Sequence, residues 1–221
     1  NRNLRWERTS MLNIGADVGL FGNKLIGTLD VYWKKSSDLI ANKLIDPTLF
    51  YSGGLGNFKV NYADLDCSGA DINLEVRPLG RQVKWSSSAN ISHSRNRVTE
   101  IVTADNASAT SYTHGLSNRA IIDKSLDNIY SLPWAGLESN TGDPLVREGE
   151  ILTKEYTRYI NGLQIDDLIE HGSTVPILYG AFRNNLTWRG CTLSINIAFK
   201  SKYFYRRKLI SYNTLMQNNT G

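Results

Sequence analysis

At 221 residues the chain has room for one all-β domain or two smaller ones. Hydrophobic residues make up 41% and charged residues 21%, the balance of a chain that folds. A net charge of +4, with its Lys and Arg scattered, argues against a nucleic-acid surface, and the one tight basic run, Arg206-Arg207-Lys208, reads as a solvated loop.

Eleven Tyr, five Trp and six Phe beside eighteen Gly and only two Met favour strands over helical bundles. No apolar run approaches the roughly 20 residues of a membrane helix, but a barrel strand needs only about 9–11 and keeps one face polar. Cys67, Cys191 and three distant His have no metal-ligand spacing, so neither a metal nor a cofactor is expected.

Period-two alternation predicts strands in chain order at about 10–21, 25–36, 66–77, 82–94, 179–189 and 191–203. In the first, Leu12, Ile14, Ala16, Val18 and Leu20 alternate with Asn13, Gly15, Asp17 and Gly19. Gly22-Asn23-Lys24 turns into the second, where Leu25, Gly27, Leu29, Val31 and Trp33 share a face. Ala70, Ile72, Leu74 and Val76 mark the third, and Val83, Trp85, Ser87, Ala89 and Ile91 the fourth. Phe182, Leu186 and Trp188 then lead through Arg189-Gly190 to Leu193, Ile195, Ile197 and Phe199. These six strands form three hairpins.

Within hairpins the predicted turns are a few residues long, whereas the segments 37–65 and 95–178 are far longer than the usual loops of about 2–6 residues. Short turns at one end and long loops at the other characterise outer-membrane barrels. Alternation by itself fits equally a soluble sandwich, with core against solvent, or a barrel, with lipid against a wet lumen. Phe21, Trp85 and Trp188 near the short turns suit an aromatic girdle at the periplasmic interface, and with the loop asymmetry they favour the barrel. The expected fold is an all-β, antiparallel transmembrane β-barrel fragment of about six up-and-down strands, with short periplasmic turns and long extracellular loops.

Several stretches resemble the SusC/RagA family of TonB-linked outer-membrane proteins. Asn3-Leu4-Arg5-Trp6-Glu7-Arg8-Thr9, followed by Leu12-Asn13-Ile14-Gly15-Ala16-Asp17, is similar to that family's "NPNLKWE-T" and "NIGLD". Asp30-Val31-Tyr32-Trp33-Lys34-Lys35-Ser36-Ser37-Asp38-Leu39-Ile40 resembles "D-Y-KKT-DLL", and Ser68-Gly69-Ala70-Asp71 stands where "N-GVE" is usual, with Ser for Asn and Asp for Glu. Trp134-Ala135-Gly136-Leu137 with Thr141-Gly142-Asp143-Pro144 resembles "GLDP-TGDP"; Val175-Pro176, Tyr179-Gly180 and Phe182-Arg183-Asn184 resemble "P-YYGGFNN".

The matches run in family order from residue 3 to about 200. The resemblance implies one part, residues 1–221, of a 22-stranded barrel in the outer membrane of a Bacteroidetes-type Gram-negative cell. It further implies a plug and TonB box lying outside these residues, energisation through TonB, and a SusD-like lipoprotein that captures glycans or peptides.

On the barrel reading Asp17, Asp30, Tyr32, Asp71, Asn73, Glu75, Asn90, Arg183, Asn185 and Asn196 face the lumen, either as solvated wall or as contacts to solute or plug. The long loop carries Tyr112, Tyr130, Trp134, Tyr156 and Tyr159, rings that would stack on sugars or form the loop's own core. Tyr130, Trp134, Tyr156, Tyr159, Tyr32 and Asp71 are the candidate substrate contacts. Asp166-Asp167 and Glu170-His171 read as solvated charge, and no Ser/His/Asp or paired-carboxylate arrangement suggests catalysis, so a hydrolase is the weakest reading. A soluble carbohydrate-binding β-sandwich is the alternative. The two Cys fall at opposite ends of their strands and are expected to be free.

Overall fold

The computed structural model describes residues 3–44, 57–79, 82–102, 108–113 and 119–207. Ten strands are present among them: β1 (Arg8–Leu20), β2 (Leu25–Leu44), β3 (Asn57–Leu79), β4 (Val83–Ile101), β5 (Asn128–Ser131), β6 (Val146–Glu148), β7 (Ile151–Thr153), β8 (Ile169–Ser173), β9 (Leu178–Trp188) and β10 (Cys191–Ser201). One short helix, α1, spans Tyr156–Gly162. The main sheet has the order β1-β2-β3-β4-β9-β10, with every neighbouring pair antiparallel. Among the described residues this is an up-and-down meander that remains open, with a long loop between β4 and β9.

The predicted alternation becomes cross-strand register. Ala16, Leu29, Ile72, Ile91, Gly180 and Phe199 stand side by side across the sheet. One pair toward the short turns, Val18, Gly27, Leu74, Ala89, Phe182 and Ile197 do the same. A slip of one residue in any strand would exchange the two faces, so the apolar pattern fixes the pairing. Leu12, Ile14, Val18, Ile195 and Ile197 remain about half exposed. Nothing in the described residues packs a second sheet onto this face.

Opposite lie Asp17, Thr28, Asn73 and Asn90 in one row and Gly15, Asp30, Asp71 and Ser92 in the next. On this polar face the Tyr32 ring lies over Gly69, its register partner, where a Cβ would collide with the ring and with the His93 carbonyl. A flat aromatic covering a glycine in the neighbouring strand pins the register there.

The hairpin turns use left-handed backbone. Phe21, Gly22 and Asn23 all have positive φ between β1 and β2, and Lys24 N–H donates to the Leu20 carbonyl at 3.1 Å. Arg189 (φ 48°) and Gly190 (φ 83°) form the two-residue link between β9 and β10, the pair of positive φ values that matches strand twist. Arg189 stacks its guanidinium over the Trp188 ring, 5.0 Å from the centroid. Gly190→Ala should therefore cost roughly 1–2 kcal/mol in bilayer unfolding, because a Cβ is strained at that φ. Gly190→Asn, which tolerates the conformation, should cost less than half as much.

The strands extend further outward than alternation indicates. β2 runs to Leu44 instead of 36, β3 starts at Asn57 instead of 66, and β4 continues to Ile101 instead of 94. Register shifts between Ser36 and Leu39 and between Asp64 and Leu65 break the alternation at these points. A bulge leaves one residue unpaired and swaps the faces, so Leu39-Ile40-Ala41 no longer reads as a strand. β10 stops at Ser201, and the chain turns back so that Phe204 N–H donates to the Ser173 carbonyl at 2.8 Å.

The loop between β4 and β9 folds into a small body. β5 pairs with β8, β6 with β7, and Ala109, Tyr112, Tyr130, Tyr159, Leu163 and Leu168 form its core, with Ile121 and Val146 packed against them. Tyr112 and Tyr130 meet edge to face, 6.3 Å between centroids. A second cluster, Ala63, Val98 and Ala120 with Tyr62, Leu65, Ile101 and Leu126, fastens this body to the outer ends of β3 and β4. Val98 exchanges backbone hydrogen bonds with Asp123 and Lys124, which continues the sheet alongside β4 beyond the end of β9.

Candidate functional site

Three groups of residues carry the chemistry: a polar clamp at the outer end of β1–β3, the polar face of the sheet, and the surface of the loop body.

The clamp is built by the sequence stretches around Arg5 and Asp38. Asp38 sits in the β2 bulge with φ 59°, a conformation Asp tolerates, and is only 3% exposed. Its carboxylate receives Arg5 Nη2 at 2.6 Å and Arg8 Nη2 at 3.1 Å. Its backbone N–H donates to Asp64 Oδ1 at 2.9 Å, and Asn61 Nδ2 donates to its carbonyl at 2.8 Å. Asn61 also accepts from Arg5 N–H at 2.8 Å, while Glu7 Oε1 accepts from Ile40 N–H at 2.7 Å. The bulge frees backbone groups, and these side chains satisfy them. In this way the Arg5–Arg8 and Asp38–Ile40 motifs fasten three strands together.

The polar face carries Asp17, Asp30, Asn73, Glu75, Asn90, Arg183, Asn185 and Asn196 with Tyr32 and Asp71, as their spacing predicts. Asp30 and Asp71 are direct cross-strand partners, and the Asp30 carboxylate leans over Gly15 of β1, toward the side of β2 away from Asp71. Glu75, Ser88, Arg183 and Asn196 share a row, so Arg183 is two strands away from Glu75. Asn73 donates to Thr28 Oγ1 at 3.2 Å and Asn90 Oδ1 accepts from Ala181 N–H at 2.9 Å. Trp85 and Trp188 lie on the apolar face at the short-turn end, with Trp85 Nε1 donating to Asn184 at 3.3 Å, and Phe21 is in the β1–β2 turn, 78% exposed.

The loop aromatics divide. Tyr130 and Tyr159 are 5% and 8% exposed, so their rings serve the loop core and present no face for stacking. Burial pushes both phenol pKa values up, as it does for Tyr112. Trp134 is 69% exposed, and Tyr156 is partly exposed with its hydroxyl donating to the Pro144 carbonyl at 2.6 Å. Trp134, Leu137, Ile151 and Leu152 give this end of the loop an exposed apolar surface.

Thr141-Gly142-Asp143-Pro144 forms a charged clasp. Thr141 Oγ1 lies 2.6 Å from Glu138 Oε2 and 2.7 Å from Asp143 Oδ2, and Lys154 Nζ donates to the same two carboxylates at 2.5 and 3.2 Å. The Lys154 hydrogen bond, then that of Thr141, lowers the Glu138 pKa; Thr141, then Lys154, lowers that of Asp143. Lys154 is raised, chiefly by its bond to Glu138. Depressed carboxylates stabilise the clasp above their unfolded pKa and lose that contribution as pH falls through the folded value. The raised ammonium does the reverse at high pH. The protection of the amides at 138–154, corrected for intrinsic exchange, should therefore be greatest across neutral pH and fall on acidification before that of the barrel strands. An acid-insensitive exchange pattern there would show the clasp to be unimportant.

Arg206, read from sequence as solvated, instead donates to the carbonyls of Thr113 and Tyr130, the second at 2.7 Å, and ties the segment after β10 to the loop core. Cys67 and Cys191 are free. Among the described residues no group of three or more His, Cys, Asp or Glu is arranged to hold a metal.

No family model matches the chain. Individual proteins do. It is 28% identical over 151 residues to TonB-dependent receptor P39 of Formosa agariphila, covering 65% of this chain and 13% of that protein. TonB-dependent receptor P26 of the same organism is 23% identical over 235 residues, covering 96% of this chain and 23% of its own length. TonB-dependent receptor SusC of Bacteroides thetaiotaomicron is 26% identical over 108 residues, or 48% of this chain and 10% of that one. Among solved structures, the RagAB peptide transporter superposes with a TM-score of 0.67 at 21% identity, covering 90% of this chain and 21% of the matched chain.

The sheet thus has the architecture of one sector of an outer-membrane β-barrel, and the chain is similar to TonB-dependent receptors. Within that class the chain is SusC/RagA-like. It spans less than a quarter of the relatives it matches.

Proposed function

We propose that this chain forms one sector of an outer-membrane TonB-dependent active transporter, not an enzyme, that imports glycans or oligopeptides with a SusD-like surface lipoprotein. The observation that carries this reading is the two-faced meander. One face is apolar from Leu12 to Leu20 and across to Leu193–Phe199 apart from Ser87 and Asn184, and the other is polar apart from Ile26, Ala181 and Ala198. An unclosed sheet in hydrocarbon leaves edge N–H and C=O groups without partners, so β1 and β10 require further strands of the same barrel.

On this reading the polar-face residues from Asp17 to Asn196 line the lumen. The carboxylates of Asp30 and Asp71, on neighbouring strands of this face, meet cationic groups of the plug or solute. The apolar loop surface around Trp134, Leu137, Ile151 and Leu152 is the seat of the lipoprotein lid, and Trp134 and Tyr156 are the loop rings left free to touch solute. A soluble carbohydrate-binding sandwich would bury the Leu/Ile/Val face against a second sheet.

The test is uptake. Cells lacking the full-length protein should fail to grow on a glycan or oligopeptide that supports the parent. Ile151→Asp should reduce that growth while leaving the barrel in the outer membrane and the lid unassociated. Normal growth of the deletion strain on every glycan and peptide offered, or recovery of the protein in the aqueous fraction, would contradict the proposal.

A further inference from the structure

The apolar face changes chemistry over two rows at its extracellular edge. Leu12, Trp33, Ser68 and Arg95 stand side by side across β1–β4, and the next row outward is Ser10, Lys35, Asp66 and Arg97. These residues, with Asp123, line a groove of about 800 Å³. Arg97 Nη1 is 3.5 Å from Asp123 Oδ1, whereas Lys35 and Arg95 are exposed and enter no ion pair among the described residues. Asp66 Oδ1 is buried and accepts no hydrogen bond.

Depth locates the groove. From Trp85 in the lower girdle to Arg95 is ten positions along β4. At about 3.3 Å per residue this is roughly 33 Å of strand. Tilted by about 40°, that covers some 25 Å of depth, the height of a barrel's apolar band. The first outward-facing cations therefore stand where acyl chains give way to headgroups, with Trp33 beside them as an interfacial ring.

We propose that this groove binds a phosphorylated glycolipid of the outer leaflet. The phosphate is held by Lys35 Nζ and the Arg95 guanidinium, a sugar hydroxyl donates to the Asp66 carboxylate on the groove wall, and the acyl chains descend along Leu12, Trp33, Ile14 and Val31. The charges favour this occupant. With Arg97 neutralised by Asp123, two cations face one carboxylate, which suits an anion that also carries hydroxyls. The apolar floor gives free phosphate nothing to bind, and a zwitterionic phospholipid offers Asp66 no sugar. The inference rests on the proposal that the Leu/Ile/Val face meets lipid.

The full-length protein in detergent, titrated with bis-phosphorylated lipid A and followed by native mass spectrometry, tests it. Lys35→Gln/Arg95→Gln should weaken lipid A binding about 30-fold, the loss expected for two cations beside a headgroup layer, and leave phosphatidylethanolamine binding unchanged. Trp33→Ala should weaken both forms of lipid A, phosphorylated and dephosphorylated. Equal lipid A affinity in wild type and double variant, or full displacement by inorganic phosphate, would overturn the proposal. Should the double variant not fold, wild-type lipid A affinity must fall with rising salt, and salt-independent affinity overturns the proposal equally. A protein that does not enter vesicles at all would instead defeat the membrane assignment.

Discussion

Ile72→Arg is expected to destabilise the full-length barrel in a bilayer by about 2–4 kcal/mol, whereas Asn73→Arg on the same strand should change it by within about 1 kcal/mol. Ile72 lies in the row with Leu29 and Ile91, between the Trp85 row and the Arg95 row, close to mid-depth. A guanidinium there must be taken into hydrocarbon or drawn many ångströms to an interface. Its neighbour Asn73 points to the other face, where it bonds Thr28 Oγ1 at 3.2 Å and an arginine keeps its water. Urea unfolding in vesicles measures both. Equal effects of the two substitutions would mean that the faces are not lipid and water.

Asp38→Ala should have the second largest effect, about 2–3 kcal/mol, with the damage confined to the extracellular end of β1–β3. Hydrogen bonds to charged groups contribute about 1.5–3 kcal/mol each, and Asp38 accepts two from guanidiniums. Both arginines are mostly exposed and regain water when released, which holds the net loss to the lower end of one such bond, about 1.5 kcal/mol. The remainder is backbone: alanine at φ 59° adds strain of about 1 kcal/mol. Asp38→Asn keeps the conformational preference and loses the charge, so it should fall between alanine and wild type. Limited proteolysis between residues 37 and 44 reads the local opening, and unchanged cleavage in Asp38→Ala would remove the clamp from the account.

The membrane-depth part of the sheet is legible in the sequence because lipid demands an unbroken period of two from Leu12 to Leu20 and from Ala70 to Val76. Beyond the bilayer that demand lapses. Outward of the Trp33 row hydrocarbon no longer covers the sheet, the bulge at Asp38 reverses the alternation, and the pairing of Asn61 with Arg5 and Asp38 leaves no periodic trace. The Arg5–Arg8 and Asp38 motifs are visible as a resemblance, but their physical purpose, filling the hydrogen-bond gaps of a bulge, emerges only from geometry. The loop shows the same limit: nothing in spacing separates Tyr130 and Tyr159, which build its core, from Trp134, which faces out. Arg206 looks solvated because its carbonyl partners lie on Thr113 and Tyr130, far away in sequence.

Nitroxide labels placed singly at residues 70–76 of the full-length protein in vesicles test the lipid-facing assignment most directly. Collision with oxygen should peak at Ala70, Ile72, Leu74 and Val76, and collision with a water-soluble nickel complex at Asp71, Asn73 and Glu75. Labels at Ile72 and Leu74 shielded from both reagents would place those side chains in a protein core and contradict the barrel.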